Sequence, residues 1–80
     1  MGLLRRTKRE VIRILKEWSK NNEGYMTSRD IYEELYQYHD ASATSISRFL
    51  LLYSRDDKRL TYRRRPTGTI EWRFEDDGED

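Results

Sequence analysis

Two stretches of this chain carry side chains suited to gripping a ligand rather than transforming one. The first is S-A-T-S-I-S-R-F-L-L-L-Y-S, Ser42 to Ser54. At helical spacing it places Thr44, Ser47, Arg48 and the following Arg55 on one side, with Ile46, Phe49, Leu50 and Tyr53 on the other. The second is R-R-R-P-T-G, in which Arg63, Arg64 and Arg65 crowd a turn. Hydroxyls and guanidinium groups donate hydrogen bonds to anions and to polar ring edges, and a guanidinium does so in a two-pronged geometry that fits phosphate.

Bond-making chemistry finds no comparable support. His39, Asp40, Ser42 and Ser45 contain the letters of a hydrolase triad, but near-adjacent residues cannot give its geometry, and no Gly-rich nucleophile turn is present. His39 reads as a polar turn residue. One histidine, no cysteine and carboxylates on solvated faces leave no metal-ligand set, and the four glycines form no phosphate-binding loop. The expectation is a non-enzyme without metal or cofactor.

The elements that must position these residues are legible from periodicity. Thr7 to Asn21 predicts a first helix whose stripe is Val11, Ile14, Leu15 and Trp18, with Ile12 at its edge and Gly24 as a left-handed stop. Gly24-Tyr25-Met26 predicts a short edge strand. Thr27 and Asp30 form a capping box, with Met26 and Ile31 as its hydrophobic staple, so a second helix starts at Ser28 and runs to about Tyr38 on Ile31, Leu35 and Tyr38. His39-Asp40-Ala41 links it to the third helix, with Asp40 or Ser42 as cap. Leu60, Tyr62, Ile70, Trp72 and Phe74 then alternate with Thr61, Arg63, Thr69, Glu71 and Arg73. That is a hairpin with one covered face, turning at Pro66-Thr67-Gly68.

Eighty residues make one small domain, and the ten aromatics compensate for a hydrophobic fraction of only 35%. Net charge is +1, but it is unevenly distributed: +5 over residues 1–16, −4 over 17–47, +5 over 48–65 and −5 over 66–80. Two basic blocks that fold onto one surface would give the electrostatic footprint of a nucleic-acid binder. No apolar run approaches the roughly 20 residues of a membrane span, and the expected setting is cytoplasmic. From Glu75 on, E-D-D-G-E-D has nothing to bury, so 75–80 is expected to be a disordered acidic tail, able to compete with DNA for the Arg63–Arg65 tip.

The order helix, short strand, helix, turn, helix, hairpin resembles the winged helix-turn-helix family. M-T-S-R-D-I-Y-E-E-L, T-S-I-S-R-F-L and R-L-T-Y-R-R-R-P-T-G-T-I-E-W-R-F carry the likeness. It implies an α+β fold over residues 1–74, with three helices, a short first strand and a two-stranded C-terminal hairpin wing. It also implies double-stranded DNA as partner, with the third helix in the major groove and the wing on backbone or minor groove. Thr44, Ser45, Ser47 and Arg48 would then meet base edges and phosphates, and Arg63, Arg64 and Arg65 would form the wing contact. The dipole-disfavoured cluster Arg5, Arg6, Lys8 and Arg9 suggests either a DNA-contacting arm, with Arg5, Arg6 and Arg9 on phosphates, or a solubilising tail. The helix start at Ser28 offers N–H groups to a phosphate. The functional expectation is a small, nucleoid-associated transcriptional regulator.

Leu51 and Leu52 depart from that pattern, since they fall on the Arg48 side of the third helix. They are expected to pack beneath the wing; the alternative is an apolar patch for a second subunit or a protein partner. Winged helices also act as protein-interaction modules, for which Leu51, Leu52, Tyr32 and Tyr36 would be the anchors. Tyr62 and Trp72 keep base stacking on a single strand open as well.

Overall fold

The amphipathic first segment forms α1 (Arg5–Asn21), followed by β1 (Met26–Thr27), α2 (Ser28–Glu33), α3 (Ala43–Asp56), β2 (Leu60–Arg64) and β3 (Ile70–Phe74). The structure, a computed structural model, describes residues 3–35, 37–38 and 40–75. His39, Tyr36 and tail residues 76–80, with the roles expected of them, lie outside the described residues. The result is a small α+β domain of three helices and one three-stranded antiparallel sheet in the order β1-β3-β2. β3 is the central strand, pairing Trp72 with Met26 on one side and with Tyr62 on the other.

The core gathers one stripe from each helix. Val11 and Leu15 of α1, Ile31 of α2, and Ile46 and Leu50 of α3 are fully buried against Trp72, with Leu35, Leu60, Phe74, Met26 and Leu3 closing the edges. The α1 stripe is narrower and more polar than expected. It runs Thr7, Val11, Leu15, Ser19, four residues apart, while Ile14 and Trp18 pack half-buried beside it. Both polar members have partners: Thr7 Oγ1 donates to Asp40 Oδ1 at 3.0 Å, and Ser19 Oγ accepts from the Phe74 N–H at 3.1 Å. A buried hydroxyl is tolerated when it is hydrogen-bonded in this way.

Three local expectations are corrected. Gly24 does not adopt a left-handed cap; among the described residues only Gly68, at φ 98°, has positive φ. The end of α1 is instead held by Asn21 and Asn22, whose side-chain amides donate to the Glu17 and Trp18 carbonyls. The Arg73 guanidinium adds bonds to the carbonyls of Ser19, Asn22 and Gly24, placing a cation where the helix dipole favours one. α2 does not reach Tyr38. It ends at Glu33, and the chain tightens into three-residue turns through Leu35 N–H to Tyr32 O and Tyr38 N–H to Leu35 O. Glu33 and Glu34 put negative charge at the end where free carbonyls already concentrate it. Finally, Tyr62, on the face expected to be covered, is 48% exposed, with its ring resting 5.3 Å from that of Trp72.

Capping residues fix the remaining ends. Thr27 and Asp30 form the reciprocal box of α2, and Ser42 caps α3 by accepting from the Ser45 N–H at 3.1 Å. Asp40 serves a different helix. Its carboxylate reaches back to α1, accepting from the Leu4 N–H at 2.9 Å as well as from Thr7, and so places a negative charge at the cation-crowded start of α1. The Leu4 N–H, then the Thr7 hydroxyl and the Arg6 charge, hold this carboxyl below its usual range.

Because its folded pKa is depressed, Asp40 stabilises the fold fully above its unfolded value of about 3.9, and that contribution is lost as pH falls through the folded value. Asp40→Asn should therefore lower the melting temperature at pH 7. The gap to wild type should close as pH falls below about 4, as read by circular dichroism melts across pH 2.5–7.

Candidate nucleic-acid interface

The outer face of α3 is a single stripe. Thr44, Arg48, Leu51, Leu52 and Arg55 are exposed and fall within an arc of about 100°, opposite the buried Ile46 and Leu50. Between Ala43 and Arg55 the helix contains no acidic residue. Arg48 and Arg55 form no ion pair among the described residues. Thr44 and Arg48 thus project freely from the first two turns.

Ser45 and Ser47 are differently placed. Ser45 belongs to the cap, its hydroxyl accepting from Ser42 Oγ at 2.9 Å. Ser47 is turned toward α2: its Oγ lies 2.5 Å from Ser28 Oγ, which accepts the buried Trp72 indole N–H at 3.0 Å. This hydroxyl joins α3 to α2 and β3. Ser28 itself is 6% exposed, and the Asp30 carboxylate of the capping box stands at that helix start, so the charge there does not favour phosphate. A shallow groove remains between the first turns of α2 and α3 and the hairpin, lined by Thr27, Arg29, Thr44, Ser47, Thr69 and Ile70 among others.

The hairpin turn follows the residue chemistry. Pro66 sits second in a turn closed by Gly68 N–H to Arg65 O, and Gly68 takes the left-handed conformation that brings Arg65 and Thr69 together. The three arginines, however, are not equivalent. Arg63 Nε donates to Glu71 Oε1 at 2.8 Å, and its guanidinium carbon lies 4.2 Å from the centre of the Tyr25 ring. Arg65 donates to Glu71 Oε2. Among the described residues Arg64 makes only a 3.5 Å contact to the Gly68 carbonyl. Glu71, which alternation alone would leave on an open face, is 2% exposed beneath these two arginines. Arg65 first, then Arg63, hold its carboxyl below the ordinary range. The signal that could have found it is the register: a turn at Pro66-Thr67-Gly68 sets Arg63 directly across from Glu71.

The first basic block does reach α3. Arg5, Arg6 and Arg9 are exposed, and Lys8 Nζ sits 5.7 Å over the Phe49 ring. A second cationic cleft, unanticipated from sequence, lies at the other end of α1, where Lys16, Lys20, Arg59 and Arg73 line a depression closed by Phe74 and Glu75. Lys16 Nζ stands over the Phe74 ring at 5.3 Å.

Leu51 and Leu52 do not pack beneath the hairpin. They are 36% and 55% exposed, because the contact between α3 and the hairpin is filled by other groups: Leu50, Leu60 and the edge-to-face rings of Tyr53 and Phe74. Trp72 is buried and offers no ring to a ligand; Tyr62 does. Among the described residues there is no cluster of three metal-ligating side chains, and no helix is long and apolar enough to cross a membrane.

Removing the acceptor for the Trp72 N–H should be costly. Ser28→Ala is expected to lose about 1–3 kcal/mol, the penalty for a buried unsatisfied donor, and Ser47→Ala about 1 kcal/mol. Urea unfolding should show shifted midpoints at unchanged slope. Compared with protein-family models, characterised proteins and solved structures, the chain finds no match.

Proposed function

We propose that this chain is a winged helix-turn-helix domain that binds double-stranded DNA, with α3 in the major groove and the β2–β3 hairpin as the wing. The element order and the β1-β3-β2 sheet support that fold name. One observation carries the functional reading: the outer face of α3 presents Thr44, Arg48 and Arg55, exposed and uncompensated by any carboxylate of that helix up to Arg55. Arg48 is suited to pair with a guanine edge and Thr44 to meet a base or phosphate. Arg64, with Arg5, Arg6 and Arg9, is suited to phosphates, which fix register without reading sequence. Such a protein binds rather than catalyses, and a small intracellular transcriptional regulator fits its size.

Fluorescence anisotropy with a labelled duplex across a salt series tests this. Affinity should fall with salt at a log–log slope of about 0.9 per phosphate contacted. After selection of a preferred site, Arg48→Ala should cost about 1–3 kcal/mol on that site and far less on other sequences. Absence of binding at low salt would defeat the reading.

Exposed Leu51 and Leu52 favour a second reading, in which the same helix face meets a second copy or a protein partner. In that case Leu51→Asp abolishes association seen by sedimentation, while Arg48→Ala leaves it intact. If α3 serves DNA alone, the chain sediments as a monomer at all concentrations.

A further inference from the structure

The pleat of the hairpin divides the three wing arginines between two faces. Arg64 shares its face with Leu60 and Tyr62, on the side where Ile70 lines the groove beside α3. Arg63 and Arg65 lie on the opposite face, where Glu71 receives both, one on each carboxylate oxygen, with its side chain 3% exposed. Arg63 is further seated on Tyr25. Freeing either arginine for a phosphate means breaking a charge-assisted hydrogen bond and leaving a covered carboxylate less compensated.

We propose that Glu71 is a specificity-determining residue: it holds Arg63 and Arg65 on the sheet face turned away from α3 and confines the wing's phosphate contact to Arg64. This rests on the duplex-binding reading and deepens it. A tip with three free guanidinium groups would strengthen binding to every sequence alike, since phosphate contacts carry no base information. By withdrawing two of them, Glu71 lowers that indiscriminate share and leaves discrimination to α3.

The test is anisotropy on a random-sequence duplex between about 50 and 200 mM salt, using the whole chain, with circular dichroism melts to confirm folding of each variant. Arg64→Ala should weaken binding several-fold and reduce the salt slope by about 0.9, the value for one phosphate. Arg63→Ala and Arg65→Ala should each leave affinity within about twofold and the slope unchanged, because neither contacts phosphate. Glu71→Gln should tighten binding and steepen the slope by up to about 1.8, two phosphates' worth; adding Arg63→Ala or Arg65→Ala on that background should reverse the gain. If Glu71→Gln does not fold, the three arginine variants decide alone. Equal losses at Arg63, Arg64 and Arg65, or a folded Glu71→Gln with wild-type affinity and slope, overturn the assignment of Glu71 while duplex binding stands. An unmodified chain that binds no duplex overturns both.

Discussion

A single buried N–H organises this domain. Trp72 lies at the middle of the central strand with no exposed surface, and burying a ring system of its size contributes about 4–6 kcal/mol by area. That burial is favourable only if the indole N–H finds an acceptor, since an orphaned donor would cancel a large part of it. Ser28 supplies the oxygen from the first turn of α2, and its hydroxyl contacts Ser47 of α3. The capping box at Thr27 and Asp30 fixes where α2 begins and hence where Ser28 stands. Capping chemistry, strand register and the docking of α3 therefore converge on one hydroxyl.

The same logic recurs at each end of α1. Asp40 reaches 36 residues back to the Leu4 N–H, Arg73 reaches across to three carbonyls at the helix end, and Ser19 accepts from the backbone of β3. A chain with 35% hydrophobic residues has limited area to bury, so the relative placement of its elements depends on satisfied polar contacts to an unusual degree. These ties hold α1, the α2–α3 link and the sheet as one unit and leave the outer stripe of α3 without a structural duty.

Periodicity and capping are local, and what depends on them was legible: Val11 and Leu15 on the inward face of α1, the inward face of α3, the start of α2, the alternation and turn of the hairpin. The misses share a physical cause. The predicted stripe of α1 left out Thr7 and Ser19, because the partners that permit their burial lie 33 and 55 residues away. Gly24 read as a cap because nothing nearby announced that Arg73 would take the carbonyls. Glu71 read as exposed because alternation assigns a face but not what covers it. In the candidate site, helical spacing singled out Thr44 and Arg48, yet it could not tell that Ser47, one step around the helix, faces Ser28.

The distribution of committed guanidinium groups then bears on function more than their number does. Arg13 is paired with Glu10 and Glu17, Arg29 with Glu33, Arg59 with Asp57, Arg63 and Arg65 with Glu71, and Arg73 with carbonyls at the end of α1. Each is held by a carboxylate or carbonyl of the fold and has little to offer a ligand. Arg48, Arg55 and Arg64, with the exposed cations of the first turn of α1, remain. With a net charge of +1 the protein has no strong overall field to draw in a polyanion, so steering must come from where uncompensated charge is left standing. Arg48 and Arg55 bracket Leu51 and Leu52 on one helix face, giving a surface that is cationic at its ends and apolar at its centre. If the stripe meets duplex DNA, as proposed, such a centre would suit thymine methyl groups and Arg48 a guanine edge; against a protein it would suit an apolar segment with acidic flanks. Both ligands would have to come to the same stripe, so engagement of one would exclude the other.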